Sequence, residues 1–353
     1  MPTKITINPT TGVHMPTKIE YEVDIDNPEL LLGMNTQPLP TKSHFGTFNE
    51  DWDSICGSDG QQQQCVRKFD GKFQRNVFIP SLKLAGCLIA KNSNIFLETL
   101  FCYFANMNKL NTTNIDYILF NLPRIKKMFC YVETPYYSEL SMEELVTNVT
   151  RTKDPTNELQ LWKMVALVRD PIERFIAGFV DKCFQAPLYR PEDTGGRQYC
   201  NGCGPNLTCF VMTEYEKMLN HSSSNLSFVP TAEDAHFFPQ NWLCPFQRIN
   251  FTLIKYKSLA KAEDEQNFTD QFVAFLANIP SLSNETIEFV RAQAGLKLGH
   301  HTSGSTAYKF VKKRLYESPF LMEFLVRMFY WDFKVLGFPL PKLFETSSDK
   351  ILN

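Results

Sequence analysis

The first 75 residues of this 353-residue chain contain no apolar run long enough for a membrane span or for the hydrophobic stretch of a signal peptide. No GxxxxGK[ST] sequence occurs anywhere, which argues against the phosphate-wrapping loop of ordinary kinases and ATPases. An excess of either charge is missing too. The 36 basic and 38 acidic residues leave a net charge of -2, which gives no electrostatic case for nucleic acid. Nor is there a repeat with the roughly 20–50-residue period of a solenoid.

A hydrophobic content of 43% is enough to build one large core or two modest ones. The N-terminal region reads differently. Met1-Pro2-Thr3-Lys4-Ile5 recurs as Met15-Pro16-Thr17-Lys18-Ile19, and Pro-rich sequence and the run Gln61-Gln62-Gln63-Gln64 follow. Residues 1–75 are therefore expected to be a flexible, stem-like segment or an imperfect gene start, residues 76–345 the folded domain and 346–353 a tail.

Two segments carry the chemistry. Val165-Ala166-Leu167-Val168 is strand-like and ends in Arg169-Asp170-Pro171, after which Ile172 to Phe175 resumes as an amphipathic helix. Pro171 suits a first helical turn, where its missing N–H costs nothing. The N–H groups of that turn, together with the Arg169 fork, suit a phosphate, although a plain strand–helix corner with Arg169 paired to Asp170 or Glu173 would read the same. The second corner runs from a strand over Leu82–Ala90 through Lys91-Asn92-Ser93-Asn94 into an apolar helix over Ile95–Phe104. Two corners, each with a basic residue, suit a ligand with two anionic ends. Phe251–Lys255 reads as a third central strand, Asp264–Ala277 as a helix, and Ser281–Gln293 as a helix begun by a Ser cap. Lys309–Phe329 reads as one long surface helix broken near Pro319. This alternation predicts an α/β fold with a mainly parallel central sheet covered by helices, its ligands beyond the strand ends.

At these residues the chain resembles the Golgi carbohydrate sulfotransferases, in particular a nematode-type branch related to the chondroitin sulfotransferases. The likeness continues in Asp181-Lys182-Cys183, Cys200-x-x-Cys203 with Cys209, Asp234 to Trp242, His300-His301-Thr302-Ser303 and Phe329 to Phe333, so that it spans roughly residues 76 to 341. The resemblance implies a P-loop-like sulfotransferase fold with a disulfide-bearing loop region. It also implies 3′-phosphoadenosine 5′-phosphosulfate as donor co-substrate and a glycan acceptor such as chondroitin. Lys91, Asn92, Ser93 and Asn94 would face the 5′-phosphosulfate, and Arg169 and the position of Ala177 the 3′-phosphate. Where the family usually has hydroxyl residues, this chain has Asn94, Ile95 and Ala177. Members of the family are usually membrane-anchored, a segment not visible in this sequence.

The implied chemistry is in-line transfer of a sulfuryl group to a sugar hydroxyl. Lys91 would stabilise charge on the departing phosphate oxygen, and Arg169 would grip the 3′-phosphate bidentately. Arg174, one turn on, reads as a structural ion-pair partner rather than a ligand. Candidates for the base are His236, His300 and His301, with Glu98 and Glu133 as carboxylate alternatives; His236 is favoured because it lies in a stretch shared with the family. No metal is expected. A donor-site-degenerate, lumenal glycan- or protein-binding module is the alternative to an enzyme.

Eight N-x-[ST] sequons begin at Asn111, Asn148, Asn206, Asn220, Asn225, Asn250, Asn267 and Asn284, and ten cysteines are present. Both features point to the secretory pathway, and with the resemblance to the Golgi lumen. Cys183, Cys200, Cys203, Cys209 and Cys244 could be stapled by disulfides; zinc is the rival, but the spacing lacks two matched CxxC pairs. Cys87 and Cys102, in apolar segments, are expected to be buried free thiols.

Overall fold

The structure is a computed structural model. It describes residues 39–40, 42, 44, 52–57, 64–106, 137–185, 199–223, 231, 233–257, 262–294 and 304–341. His300, His301, Glu133, Asn111 and Asn225 lie outside the described residues.

The strands are β1 (Asn76–Ile79), β2 (Leu84–Cys87), β3 (Tyr137–Ser138), β4 (Lys163–Val168) and β5 (Thr252–Lys255). The helices up to β5 are α1 (Trp52–Cys56), α2 (Asn94–Asn106), α3 (Met142–Thr150), α4 (Pro155–Gln160), α5 (Pro171–Phe179), α6 (Leu207–Ser223), α7 (Asp234–Phe237) and α8 (Gln240–Leu243). After β5 come α9 (Ala262–Leu276), α10 (Asn284–Ala294), α11 (Thr306–Tyr316) and α12 (Pro319–Leu336).

The sheet order is β3-β1-β2-β4-β5. β2, β4 and β5 run parallel, with Cys87 opposite Ala166 and Val168 opposite Lys255, while β1 and β3 add an antiparallel edge. The α/β class with helix-covered parallel strands holds. Among the described residues β5 has one strand neighbour, β4, and so stands at an edge of the sheet rather than at its centre. β2 is shorter than the apolar run Leu82–Ala90 suggests, because Pro80–Leu82 forms a 3-10 turn that ends at Lys83 with φ +44° and swings the chain from β1 back into β2.

Strand alternation splits the core into two faces. Val77, Ile79, Leu84, Val165, Leu167 and Ile254 point toward α2, α9 and α10. Phe78, Ala85, Met164, Ala166 and Val168 point toward α3 and the Leu243–Phe251 segment. α2 lies so close to β2 that a Cβ on Gly86 would sit 3.3 Å from the Phe101 ring and 3.2 Å from Val77. A third cluster joins α5, α6, α7, α11 and α12 through Phe175, Phe210, Phe237, Val311 and Phe329.

The break expected near Pro319 separates α11 from α12. Ser318 caps α12 by accepting from the Leu321 N–H, Pro319 occupies the first helical turn, and Gly337 ends the helix at φ +65°. α12 is not a surface helix, since Leu321 to Tyr330 are all buried. Within the expected N-terminal segment, residues 64–75 and α1 pack on the domain. The Phe69 ring packs at a tilt on Trp242, the Val66 N–H bonds the Arg327 carbonyl, and Cys56 and Cys65 are bridged beside Tyr330.

Cys183–Cys200 and Cys203–Cys209 are disulfides, as the loop sequence suggested. Cys87, expected to be free, is bonded to Cys244, and Cys102 is disulfide-bonded as well. Apolar surroundings made these two read as thiols; the partner of Cys87 lies 157 residues away, a separation that no local pattern reveals.

Candidate functional site

Parallel pairing of β2 with β4 brings their C-terminal ends side by side, and with them the Lys91 and Arg169 loops. Arg169 Nη1 donates to the Lys91 carbonyl at 3.2 Å, so the two corners form one unit. Arg169 is 2% exposed, and its guanidinium lies 5.5 Å from the centroid of the Tyr256 ring, just past β5.

The Lys91 loop turns without glycine. Lys91 and Ser93 themselves adopt φ +70° and +57°, a costly conformation for residues with a Cβ and one that surrounding bonds must hold. Asn92 supplies those bonds. Its fully buried Nδ2 donates to the Leu167 carbonyl at 2.9 Å and to Gln240 Oε1 at 2.6 Å. Its side-chain donors are thereby committed to the loop rather than offered to a ligand. Ser93 and Asn94 are half-buried at the start of α2, where the unpaired N–H groups of the first turn gather.

Gln240 is the node between the corners. Besides accepting from Asn92 it accepts from the Arg169 N–H at 3.2 Å, and its Nε2 donates to the Arg169 carbonyl at 2.8 Å. Asp332, fully buried on α12, accepts from the N–H groups of Gln240 and Asn241 at 2.7 and 2.8 Å and so caps α8. Burial holds the Asp332 carboxyl above its usual range.

Asp170 caps α5 by accepting from the Glu173 N–H at 3.0 Å, and burial raises its carboxyl too. Arg174 proves structural, but through carbonyls rather than a direct ion pair. Its guanidinium donates to Ala90 at 3.0 Å, Phe238 at 2.8 Å and Ala235 at 3.1 Å, and burial lowers it to about 10. It therefore ties the stretch before Lys91 to the segment that carries His236.

Lys91 Nζ lies 2.5 Å from Asp181 Oδ2, and Lys182 Nζ lies 3.2 Å from the same oxygen. Burial pushes the Lys91 ammonium down to about 8, against the pull of Asp181. Burial alone would raise Asp181, but Lys91 and Lys182 outweigh it and hold the carboxyl well below its usual range, with a contribution from nearby His236. His236 is half-buried on α7, which the Asp234–Lys217 ion pair anchors to α6. Glu98, 7% exposed, lies on α2. Ala177 is 1% exposed and belongs to the aromatic core of α5, α6 and α11.

The structure thus brings Lys91, Arg169 and the His236 segment together around adjoining loops. Sequence reasoning missed Gln240, Asp181 and Tyr256. Gln240 and Asp181 lie within stretches already singled out, but nothing local tells a network hub from a surface polar residue. Among the described residues no cluster of three or more metal-ligating side chains occurs, and none of their helices is long and apolar enough to cross a membrane.

The pattern of the sulfotransferase family matches residues 74–339. A Caenorhabditis elegans protein of uncharacterized function, C18B2.2, is 32% identical over 282 residues, covering 79% of this chain and 73% of its own. Carbohydrate sulfotransferase chst-1 of the same organism is 34% identical over 183 residues, 50% of this chain, which spans 53% of that protein's length. The C. elegans protein vep-2 is 26% identical over 238 residues, 67% of each chain. No solved structure matches.

Proposed function

This chain belongs to the sulfotransferase family, and on that footing we propose that it moves a sulfuryl group from 3′-phosphoadenosine 5′-phosphosulfate to a glycan hydroxyl in the Golgi lumen. The observation that carries the reading is the Arg169–Lys91 contact, which sets two cations and two helix N-termini around neighbouring strand ends. The residues fit a donor with two anionic ends: Lys91 stands at one loop and Arg169 at the other.

In this reading Arg169 grips the 3′-phosphate, while Lys91 and the first turn of α2 receive the 5′ end. The bond between sulfur and the bridging phosphate oxygen breaks as the acceptor oxygen bonds to sulfur. Lys91 stabilises the charge left on the phosphate, and His236 takes the acceptor proton. Asn92 serves the loop, and Ala177, packed in the core, offers the donor no hydroxyl. A carbohydrate acceptor is favoured by the likeness to chst-1; chondroitin is the first acceptor to try. Lumenal location is favoured by the disulfides and by the exposure of Asn148, Asn220, Asn250, Asn267 and Asn284 at five sequons.

The test is transfer of labelled sulfate from the donor to desulfated chondroitin and other glycans by the full chain made in a secretory host. Arg169→Ala is expected to raise the donor KM, and Lys91→Ala to lower kcat at saturating donor, each by about ten- to a hundredfold. Absence of transfer to every glycan, or near-normal kinetics in both folded variants, would overturn the assignment.

A further inference from the structure

Asp181 has no part in the chemistry just described, yet its carboxylate sits where that chemistry needs an anion. One oxygen, Oδ2, is shared by the Lys91 and Lys182 ammoniums at 2.5 and 3.2 Å. Asp181 lies on the π-helical turn Val180–Gln185, which continues α5, the helix that follows Arg169 directly. Turns of this kind insert an extra residue into a helix and recur at functional sites. Cys183, two residues on, fixes the turn to Cys200.

The cluster is not a sealed core bridge. The Lys91, Asp181 and Lys182 side chains remain 17%, 10% and 23% exposed, whereas the Glu323–Arg327 pair on α12 is fully buried. An entering anion can reach the first and not the second. Arg169, bonded to the Lys91 carbonyl, adds a further cation beside the pair, and His236 lies near Asp181.

Resting on the donor site proposed above, we propose that Asp181 is an internal counter-anion, seated on Lys91 in the ligand-free protein and displaced onto Lys182 when the donor's phosphosulfate arrives. Two anions competing for one ammonium in a poorly hydrated pocket repel each other, and one must leave. Lys182 already touches the oxygen that would be displaced. No bond to carbon, phosphorus or sulfur changes in this step and no proton moves; ion-pair partners are exchanged. Before the donor arrives, Asp181 opposes the burial and the neighbouring cations that work against the Lys91 charge. It is thus a positioning residue for Lys91 and a competitor of the donor.

Calorimetric titration of the full chain with 3′-phosphoadenosine 5′-phosphate tests the exchange. Asp181→Asn, which keeps the shape and removes the charge, is expected to tighten binding by about tenfold. Asp181→Ser is expected to act in the same direction and serves if the first variant misfolds. Lys182→Met should weaken binding in the wild-type background and have little effect beside Asp181→Asn, because the displaced carboxylate is then gone. A Lys182 that merely touched the ligand would weaken both backgrounds equally. Unchanged or weaker binding in the folded charge-removing variants, or additive effects of Lys182→Met, would overturn the exchange. If neither wild type nor variant binds the nucleotide, the donor site itself is wrong; wild-type binding with no gain in the variants refutes the exchange alone.

Discussion

The guanidinium of Arg174 bonds the carbonyl of Ala90 at 3.0 Å, so a residue on the helix after one corner fixes the backbone just before Lys91 in the other. The same group holds Ala235 and Phe238 on either side of His236. A 1%-exposed cation with carbonyl partners is a structural clasp. Arg174→Met removes it and leaves buried carbonyls unsatisfied. Denaturant unfolding should show a loss of about 3 kcal/mol or more, well above a surface substitution. A loss below about 0.5 kcal/mol would mean that the clasp is not needed to hold the segments together.

In the proposed reaction Lys91 should set an alkaline limit to transfer. Its ammonium titrates at about 8 in the ligand-free protein because burial disfavours the charge. Below that pH the residue is the cation that the proposed reaction requires; above it the residue is a neutral amine. kcat/KM for the donor should therefore fall as pH rises through about 8. The corresponding limb of kcat should lie higher, since the bound donor's negative charge favours the ammonium. Steady-state profiles from pH 6 to about 10 check this. A flat kcat/KM across that range would remove Lys91 from the charge-stabilising role.

The Cys87–Cys244 bridge joins the end of β2 to the residue that follows α8, closing a loop of 157 residues. The two elements it connects carry the Lys91 loop and Gln240. Replacing both cysteines with alanine should cost about 2–5 kcal/mol in unfolding free energy and weaken nucleotide binding as well. Thermal unfolding of the double variant with and without nucleotide reads both effects. Unchanged stability would show that packing alone holds the pair of segments.

Much of this was legible in the sequence, for reasons tied to local signals. β4 and α5 announce themselves through a five-residue apolar run, an Asp cap and a proline in the first turn, and both occur as the pattern requires. β1 escaped because Asn76-Val77-Phe78-Ile79 is buried on both faces and shows no alternation. Lys309–Phe329 reads as surface because charged residues such as Glu323 and Arg327 look solvated in sequence, whereas these two pair with each other inside the core. Within the site, the basic residues at the strand ends could be found from residue type and position. Asp181 could not, since its role depends on a pairing with Lys91 across 90 residues.

A binding titration decides whether Arg169 and Lys91 form one site for a nucleotide with a 3′-phosphate. The full chain should bind 3′-phosphoadenosine 5′-phosphate at least about tenfold more tightly than adenosine 5′-phosphate, with a matching rise in thermal stability. Arg169→Ala should erase that preference by weakening only the ligand that carries the 3′-phosphate. Equal affinity for the two nucleotides in the wild type, or an Arg169→Ala variant that still distinguishes them, would contradict the account.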